Sequence, residues 1–180
     1  MANLAVIRKI LWVIVAVVMM ATGAFYLLGN FDSPRPRVVD TNTANAMSAE
    51  FALTDQTGDK VTDADFRGRW MLVFFGFANC PDVCPTTLAE VAAVMDALGS
   101  DAAQVQPLFI SIDPERDTPE QLAEFVPAFG ANIIGLTGTA NQIKRTSETF
   151  RVYFEKIEEA ASPDGYTMGH SSQLFLFDPQ

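Results

Sequence analysis

Residues 74–85 read Phe-Phe-Gly-Phe-Ala-Asn-Cys-Pro-Asp-Val-Cys-Pro, and they hold both cysteines of this 180-residue chain. The run that leads into them, Trp70 to Phe75, is apolar and rich in aromatic and branched side chains, which is typical of a strand buried on both faces. The run that follows predicts a helix, because apolar residues recur at three-and-four spacing up to Leu98 and Gly99 then ends the pattern. The sequence therefore places the two cysteines at the junction of a buried strand and a helix.

A thiol at such a junction has a predictable chemistry. The N–H groups of a helix N-terminus favour negative charge, so we expect the pKa of a cysteine here to lie below the free value of about 8.5. Three residues separate Cys80 from Cys84, one more than in the Cys-x-x-Cys motif of thioredoxin-like redox proteins. On one regular helix, positions four apart hold their Cβ atoms about 5 to 6 Å apart, whereas a disulfide needs about 3.8 Å. The spacing favours two thiolates on one metal ion without excluding a disulfide.

Soft thiolates select Cu(I), zinc or iron–sulfur clusters, and two sulfurs are too few for a cluster. A further ligand is therefore expected. The chain offers one histidine, His170, just before the apolar run 174–177, although a lone histidine is more often a surface or core residue than a ligand. In an extended segment Met168 would share a face with it, which makes the thioether a conceivable soft donor. Core packing or a partner contact is the more ordinary role for this methionine.

Three segments together resemble the Sco/SenC family, the copper-binding assembly factors of cytochrome c oxidase. They are residues 74–85, 113–120 and 166–172. Their order and spacing fit that family from about Phe51 onward. The resemblance implies a copper site, holding Cu(I) or Cu(II). Zinc is the second choice of metal, because two cysteines and a histidine suit it, but soft sulfur and the Irving–Williams order favour copper.

The family's copper ligands are the two cysteines of Cys-Pro-x-x-Cys-Pro and a downstream histidine, which by resemblance are Cys80, Cys84 and His170 here. The chain departs from the family at two positions. Ala78 stands where the family usually has Thr or Ser, and Gly169 stands where an Asp often precedes the histidine. Neither change removes a ligand, but the missing Asp takes away a residue that would orient the imidazole.

The alternation of strands and helices predicts a thioredoxin-like α/β sandwich. Its expected parts are a hairpin at 51–62, a short helix capped by Asp63 and ending at Gly68, buried strands at 70–75 and 108–112, a helix at 119–129, a strand at 133–136, a helix from Thr139 to about Phe150, and strands at 152–154 and 174–177 around an insertion. In thioredoxin a cis-proline faces the cysteines before the last of these strands. A histidine segment occupies that region here, which favours metal binding over plain disulfide exchange.

The loop at residues 113–119 follows a buried strand. Loops at the carboxyl ends of parallel strands share one edge of the sheet, so this loop is expected to face the cysteines. Thr118 before Pro119 is a good helix N-cap, and we expect Arg116 to pair with Asp113 or Asp117 and hold the turn. This structural role is favoured over a direct one for either aspartate, such as ligand support or partner docking.

The N-terminal region predicts a membrane anchor. Arg8 and Lys9 precede Ile10 to Leu28, a run without charge that as a helix spans about 28 Å, close to a bilayer core. The run is longer than the apolar region of about 7 to 15 residues in a signal peptide, so we expect it to stay uncleaved. The positive-inside rule then exports the rest of the chain. With no transit peptide ahead of the anchor, we expect a bacterial inner membrane with the domain in the periplasm, rather than a mitochondrial inner membrane.

These patterns divide the chain into an anchor at 1–29, a linker at 30–49 and a thioredoxin-like copper-binding domain at 50–180. The linker carries two prolines and a polar Thr-Asn-Thr-Ala-Asn stretch. Arg8 and Lys9 are the only charged residues before residue 30, so residues 30–180 carry 22 acidic and 10 basic residues. This excess of negative charge argues against nucleic acid or anionic lipid as partners. We also expect the chain to end before the closing strand and helix of the family.

The leading hypothesis is a membrane-tethered copper chaperone that delivers copper to the binuclear site of cytochrome c oxidase subunit II. The alternatives are a thiol-disulfide oxidoreductase that reduces the cysteines of that site, or a copper or redox sensor. Further partners would be other copper chaperones or thioredoxin-like reductants. A peroxiredoxin-type peroxidase fits less well, because its Pro-x-x-x-Thr-x-x-Cys signature needs Pro and Thr where Val73 and Phe77 stand.

Overall fold

A computed structural model describes residues 4–28, 49–130, 132–162 and 164–179. Its tertiary contacts divide the chain into two units, residues 1–45 and 46–180. The described residues of the first unit form helix α1 (Leu4–Leu28). Within the described part of the chain, no helix combines the length and the apolar character that crossing a bilayer requires. Residues 30–48, nearly all of the expected linker, lie outside the described residues.

The second unit is the α/β thioredoxin-like sandwich that the sequence predicts. Its strands are β1 (Ala52–Asp55), β2 (Lys60–Thr62), β3 (Trp70–Gly76), β4 (Val105–Ser111), β5 (Ile134–Thr137), β6 (Phe154–Glu158), β7 (Tyr166–His170) and β8 (Leu174–Phe177). Its helices are α2 (Val83–Leu98), α3 (Pro119–Phe125) and α4 (Ala140–Thr149). Six strands form one sheet in the order β2-β1-β5-β4-β3-β8, and β6 pairs with β7 in a separate two-stranded sheet.

Strand β3 lies inside the main sheet because its side chains are apolar and both of its edges are paired. It runs parallel to β4, with Gly76 opposite Ser111, and antiparallel to β8. Phe74 and Phe75 are almost fully buried, and the Phe75 ring contacts the ring of Phe150 at a centroid distance of 5.1 Å. This pairing sets the carboxyl ends of β3 and β4 side by side, where the two loops of interest begin.

Helix α2 packs its apolar stripe onto this sheet. Cys84, Leu88, Val91 and Met95 are buried at spacings of four and three residues, as an amphipathic helix requires. Gly99 follows with a φ of 55°, a left-handed value that suits glycine at the end of a helix.

Two local predictions are corrected. The short helix before β3 is a 3-10 turn at Asp63–Phe66, and it is Thr62 that stands at its N-cap, with its N–H donating to Asp65 Oδ2 at 2.7 Å. The helix predicted for 119–129 begins as expected, with Thr118 Oγ1 accepting from the N–H of Gln121. The α-helix ends at Phe125, and a 3-10 turn follows it at Val126–Phe129. The α-helix stops there because Pro127 lacks the N–H that would continue the series of backbone hydrogen bonds.

Residues 155–165 were predicted as an insertion that leads into the histidine segment, and this region instead forms a β-hairpin of β6 and β7. The first strand starts at Phe154 rather than 152, and β7 ends at His170. The turn closes through the N–H of Glu159, which donates to the carbonyl of Gly165 at 2.9 Å. Most of β6 is exposed, so the sequence shows no alternation of apolar and polar residues by which to recognise it.

Candidate functional site

Cys84 lies in the first turn of α2 and is fully buried against β3. A Cβ atom on Gly76 would lie 2.8 Å from Cys84 Sγ and 2.8 Å from a ring carbon of Phe109, so only a glycine in the strand leaves room for this sulfur. Burial raises the pKa of the Cys84 thiol. A hydrogen bond to the Phe77 backbone lowers this pKa in part, and the neighbouring Cys80 and Asp117 raise it further. The expectation of a lowered pKa is therefore wrong for Cys84, because the loss of hydration outweighs the hydrogen bond to the Phe77 backbone that lowers the pKa.

Cys80 lies in the loop before α2 and is half-buried. Its N–H donates to the carbonyl of Phe77 at 3.2 Å, and its Sγ accepts from the N–H of Cys84 at 3.4 Å. Both cysteines are free thiols. The two residues are therefore not on one regular helix, and the helical spacing that argued against a disulfide does not apply to them.

His170 ends β7 with its Nε2 atom 3.8 Å from Cys84 Sγ. Its Nδ1 atom is 2.8 Å from the carbonyl oxygen of Ser171, so an N–H on Nδ1 donates to that carbonyl and leaves the lone pair on Nε2, the atom that faces the sulfur. The rings of Phe74 and Phe77 meet the imidazole edge-on at centroid distances of 6.3 and 6.0 Å. The Ser171 carbonyl and the rings of Phe74 and Phe77 thus orient the imidazole, which Gly169, standing where the family often has an Asp, cannot do.

The separation of sulfur and nitrogen suits a shared metal ion. With bonds of about 2.3 Å to sulfur and about 2.0 to 2.1 Å to nitrogen, two ligands of one ion stand about 3.5 to 3.8 Å apart at angles of about 110° to 120°. The observed 3.8 Å between Cys84 and His170 matches this range. Among the described residues, no three side chains of His, Cys, Asp or Glu stand together as a ready metal-binding group. A three-ligand site therefore requires some rearrangement of these side chains.

An open cleft brings Cys80, the remaining candidate ligand, near His170. Cys80 and His170 both line it, together with Pro81, Val83 and Met168. Met168 is half-buried and packs against the hydrophobic core, which is the ordinary role expected of it. Cys80 and His170 thus meet at the cleft, and Cys84 lies buried beside the histidine.

The loop after β4 does face the cysteine loop, as the sequence predicts. Asp117 is 1% exposed, and one of its oxygens, Oδ2, accepts from the N–H of Ala78 at 2.9 Å and from the hydroxyl of Ser111 at 2.6 Å. Burial raises the pKa of Asp117, while these two hydrogen bonds lower it in part. Asp117 therefore ties the two loops together through the backbone next to the cysteine motif.

Arg116 pairs with Asp113, one of the two partners expected from the sequence. The carboxylate of Asp113 also accepts from the hydroxyl of Tyr166 at 3.1 Å. Burial raises the pKa of Tyr166 to about 12, and the hydrogen bond to Asp113 adds to the shift. Sequence reasoning missed both Tyr166 and Phe77. The available signal was their position, one at the start of the histidine segment and one three residues before Cys80.

Comparison with known proteins gives this geometry a context. A sequence model of the family described as SCO1/SenC matches residues 39–180. Protein SCO1 homolog 1, mitochondrial, of Arabidopsis thaliana is 40% identical over 136 residues, which span 75% of this chain and 40% of that protein. A SCO2-like protein of Rickettsia felis is 34% identical over 170 residues, or 92% of this chain and 83% of the relative. The chain covers only 40% to 56% of the length of three SCO1 relatives, from Arabidopsis thaliana, Homo sapiens and Schizosaccharomyces pombe.

Solved structures share the fold. The crystal structure of Arabidopsis thaliana ScoI with copper bound superposes with a TM-score of 0.70 at 40% identity, covering 74% of this chain and 83% of that one. BsSco, described as a member of the Sco family of cytochrome c oxidase assembly proteins and as having a disulfide switch, superposes with a TM-score of 0.55 at 26% identity, covering 72% of this chain and 76% of that one.

Proposed function

The chain belongs to the SCO1/SenC family, and we propose that it is a copper chaperone that holds the ion through Cys80, Cys84 and His170. The observation that carries the proposal is the 3.8 Å approach of His170 Nε2 to Cys84 Sγ, between residues 86 positions apart in the chain. Two thiolates and an imidazole form a donor set that suits copper, because the sulfurs hold Cu(I) and the nitrogen supports Cu(II). The copper carried by the Arabidopsis thaliana ScoI structure supports the choice of metal.

The position of each ligand suits a protein that takes up an ion and gives it away again. Cys84 is buried, which keeps one bond of the copper away from water. Cys80 and His170 line an open cleft, where the ligands of a partner have access to the ion. The thiols lose their protons when the metal binds, so uptake releases protons to solvent.

We propose that the recipient is the binuclear copper site of cytochrome c oxidase subunit II. The support is that a relative of similar fold, BsSco, is described as belonging to the oxidase assembly proteins. Ligand exchange would begin at the rim, with Cys80 and His170 leaving before the buried Cys84.

We also propose that the N-terminal region tethers the domain to the inner membrane of a bacterium, with the domain in the periplasm. The support is the uncharged run from Ile10 to Leu28, which follows the basic residues Arg8 and Lys9. Membrane fractions washed with alkaline carbonate test this proposal. An anchored chain stays with the lipid and leaves only with detergent, whereas release by the wash contradicts the anchor.

A thiol-disulfide oxidoreductase is the second candidate, and one observation favours it. Cys80 Sγ accepts from the N–H of Cys84, so the first cysteine is already held against the helix turn that carries the second. In this function two electrons from the dithiol reduce a partner's disulfide, and Cys80 and Cys84 become a disulfide while two protons move to the partner's thiols. The disulfide switch described for BsSco supports this candidate as well.

The deciding experiment is copper transfer. The full chain in detergent is loaded with copper, freed of excess ion and mixed with a metal-free fragment of oxidase subunit II. We expect one copper per chain and its appearance on the fragment, and no tight binding by the Cys80→Ser, Cys84→Ser double variant. Tight binding by that double variant would overturn the site. A loaded chain that never transfers copper, yet reduces the oxidised fragment, would replace the chaperone with the oxidoreductase.

A further inference from the structure

The hairpin that carries His170 is attached to the domain in an unusual way. Strands β6 and β7 pair only with each other in the described part of the chain, outside the six-stranded sheet. A two-stranded hairpin is marginally stable by itself. The position of His170 over Cys84 therefore depends on side chains that bind the hairpin to the rest of the domain.

We propose that Arg116 is a positioning residue for His170, and that with Asp113 and Tyr166 it holds the hairpin, and so the imidazole, beside Cys84. We call these three residues the clamp. The metal-binding part of this inference rests on the function proposed above. The role of the clamp in holding the hairpin stands on the contacts described next.

The clamp is a closed triangle of contacts. Arg116 Nε donates to Asp113 Oδ2, and the Tyr166 hydroxyl donates to Asp113 Oδ1 at 3.1 Å. The Arg116 guanidinium also lies over the Tyr166 ring, 3.8 Å from its centroid. All three side chains are largely buried, with Asp113 at 3% exposure. A charge pair that is largely shielded from solvent is weakly screened, and removing one partner leaves the other buried and unpaired.

The guanidinium also binds the hairpin backbone. Arg116 Nη1 donates to the carbonyl of Tyr166 at 3.2 Å and to the carboxylate of Asp164 at 3.3 Å. Tyr166 is the first residue of β7 and His170 is the last, with β6 paired along the whole strand. At about 3.3 Å per residue, the four steps between them form a short extended rod. Fixing one end of that rod limits where the imidazole at the other end can lie.

A second route connects the clamp to the histidine through the cysteine loop. The Arg116 guanidinium lies 5.9 Å from the centroid of the Phe77 ring, and the same ring meets the imidazole of His170 edge-on at 6.0 Å. Phe77 is almost fully buried. Its ring is therefore a shared neighbour of the arginine and the histidine, which gives the clamp a second connection to the imidazole.

The contacts require arginine rather than any cation. One planar group reaches Asp113, the Tyr166 carbonyl and the Tyr166 ring at once, which a lysine ammonium on a flexible stem cannot do. The remaining nitrogen, Nη2, is buried, and no group among the described residues accepts a hydrogen bond from it.

The test compares Arg116→Gln and Arg116→Lys with a control, Arg67→Gln. Arg67 also forms an ion pair with an aspartate, Asp63, but at the surface, with 67% of its side chain exposed. Surface pairs of this kind contribute little. Amide hydrogen exchange on the metal-free full chain is the first readout. We expect exchange in β6 and β7 to become about tenfold faster or more in both Arg116 variants, with β3 and β4 and the control unchanged.

Copper affinity is the second readout. Because Cu(II) needs the imidazole and Cu(I) can stay on the two thiolates, Arg116→Gln should lower Cu(II) affinity about 10- to 100-fold and leave Cu(I) affinity unchanged. Tyr166→Phe keeps the charge pair and the ring and should give a smaller loss, and it serves as the test variant if Arg116→Gln does not fold.

Wild-type exchange rates in β6 and β7 would overturn the clamp. A loosened hairpin with unchanged Cu(II) affinity would overturn its role toward His170. A wild-type chain that binds no copper would refute the proposed function, and the exchange rates would then still decide whether Arg116 holds the hairpin.

Discussion

Gly76 in β3 and Cys84 in α2 are packed so closely that a Cβ on the glycine would lie 2.8 Å from the cysteine sulfur. The same added atom would lie 2.8 Å from the Phe109 ring, which is fully buried and cannot move aside easily. Gly76→Ala should therefore displace the sulfur and destabilise the domain by about 1 to 3 kcal/mol, as overpacking does in other cores. Denaturant unfolding of the metal-free protein measures the loss, and copper titration measures the damage to the site.

Gly169→Ala is the matched control for that change. An added Cβ there would lie 2.9 Å from Ile157 Cδ1, the end of a flexible side chain that is 42% exposed. Ile157 can turn away, so the control should lose much less stability. Equal losses in the two variants would show that the space under Cys84 has no special importance.

His170→Ala should separate the two oxidation states of copper. The variant keeps both thiols, which hold Cu(I) in low coordination, but it removes the nitrogen ligand that Cu(II) prefers. We expect tight Cu(II) binding to be lost, Cu(I) binding to remain, and the Cys80–Cys84 pair to stay reducible and reoxidisable. Ser171→Ala is the control, because the contact that orients the imidazole uses the backbone carbonyl of Ser171. Unchanged Cu(II) affinity in His170→Ala would remove the histidine from the site.

Asp117 should give the stability of the domain an unusual dependence on pH. Burial raises its pKa above the ordinary value of 3.8, so the folded state binds the proton more tightly than the unfolded state does. The stabilisation from this group is complete below the unfolded pKa and is lost as pH rises through the folded pKa. Compared with Asp117→Asn, the wild-type protein should therefore gain free energy of unfolding as pH falls from 7 toward 4.

Denaturant unfolding of both proteins across this pH range gives the difference. The comparison cancels the contributions of carboxylates such as Asp55 and Asp65, whose lowered pKa values give the opposite trend. A constant difference would mean that the folded pKa of Asp117 is not raised.

The sequence predicts well those features that local pattern controls. The apolar run of β3, the stripe of α2 and the Thr118 cap all follow from spacing and residue type, and each lies where it was expected. The shared edge of the sheet also follows, because parallel strands place their loops on one side. Asp117 meets Ala78 there.

Features that depend on distant residues were not predicted. The Tyr166 hydroxyl donates to Asp113, 53 positions away in the chain, and neither segment contains a pattern that predicts this contact. The raised pKa of Cys84 comes from burial among the surrounding apolar groups, whereas the helix N-terminus, visible in the sequence, suggested the opposite shift. Strands β6 and β7 gave no periodic signal, since β6 is exposed after Phe154 and β7 is half-buried after Tyr166, without alternation in either strand.

The two thiols should differ sharply in their reaction with an alkylating agent. Cys80 is half-buried and lines the open cleft, whereas Cys84 is fully buried and its pKa is raised. Because only an accessible thiolate is a good nucleophile, iodoacetamide at pH 8 should modify Cys80 in the native metal-free chain and leave Cys84 intact until denaturant is added. Peptide mass spectrometry identifies the modified residue, and Cys80→Ser should block native labelling. In the proposed oxidoreductase this order would make Cys80 the attacking thiol, and in the proposed chaperone it would make Cys80 the first copper ligand to meet a partner. Labelling of both cysteines at similar rates in the native protein would show that Cys84 opens to solvent, and it would remove the structural difference between the two thiols on which this order depends.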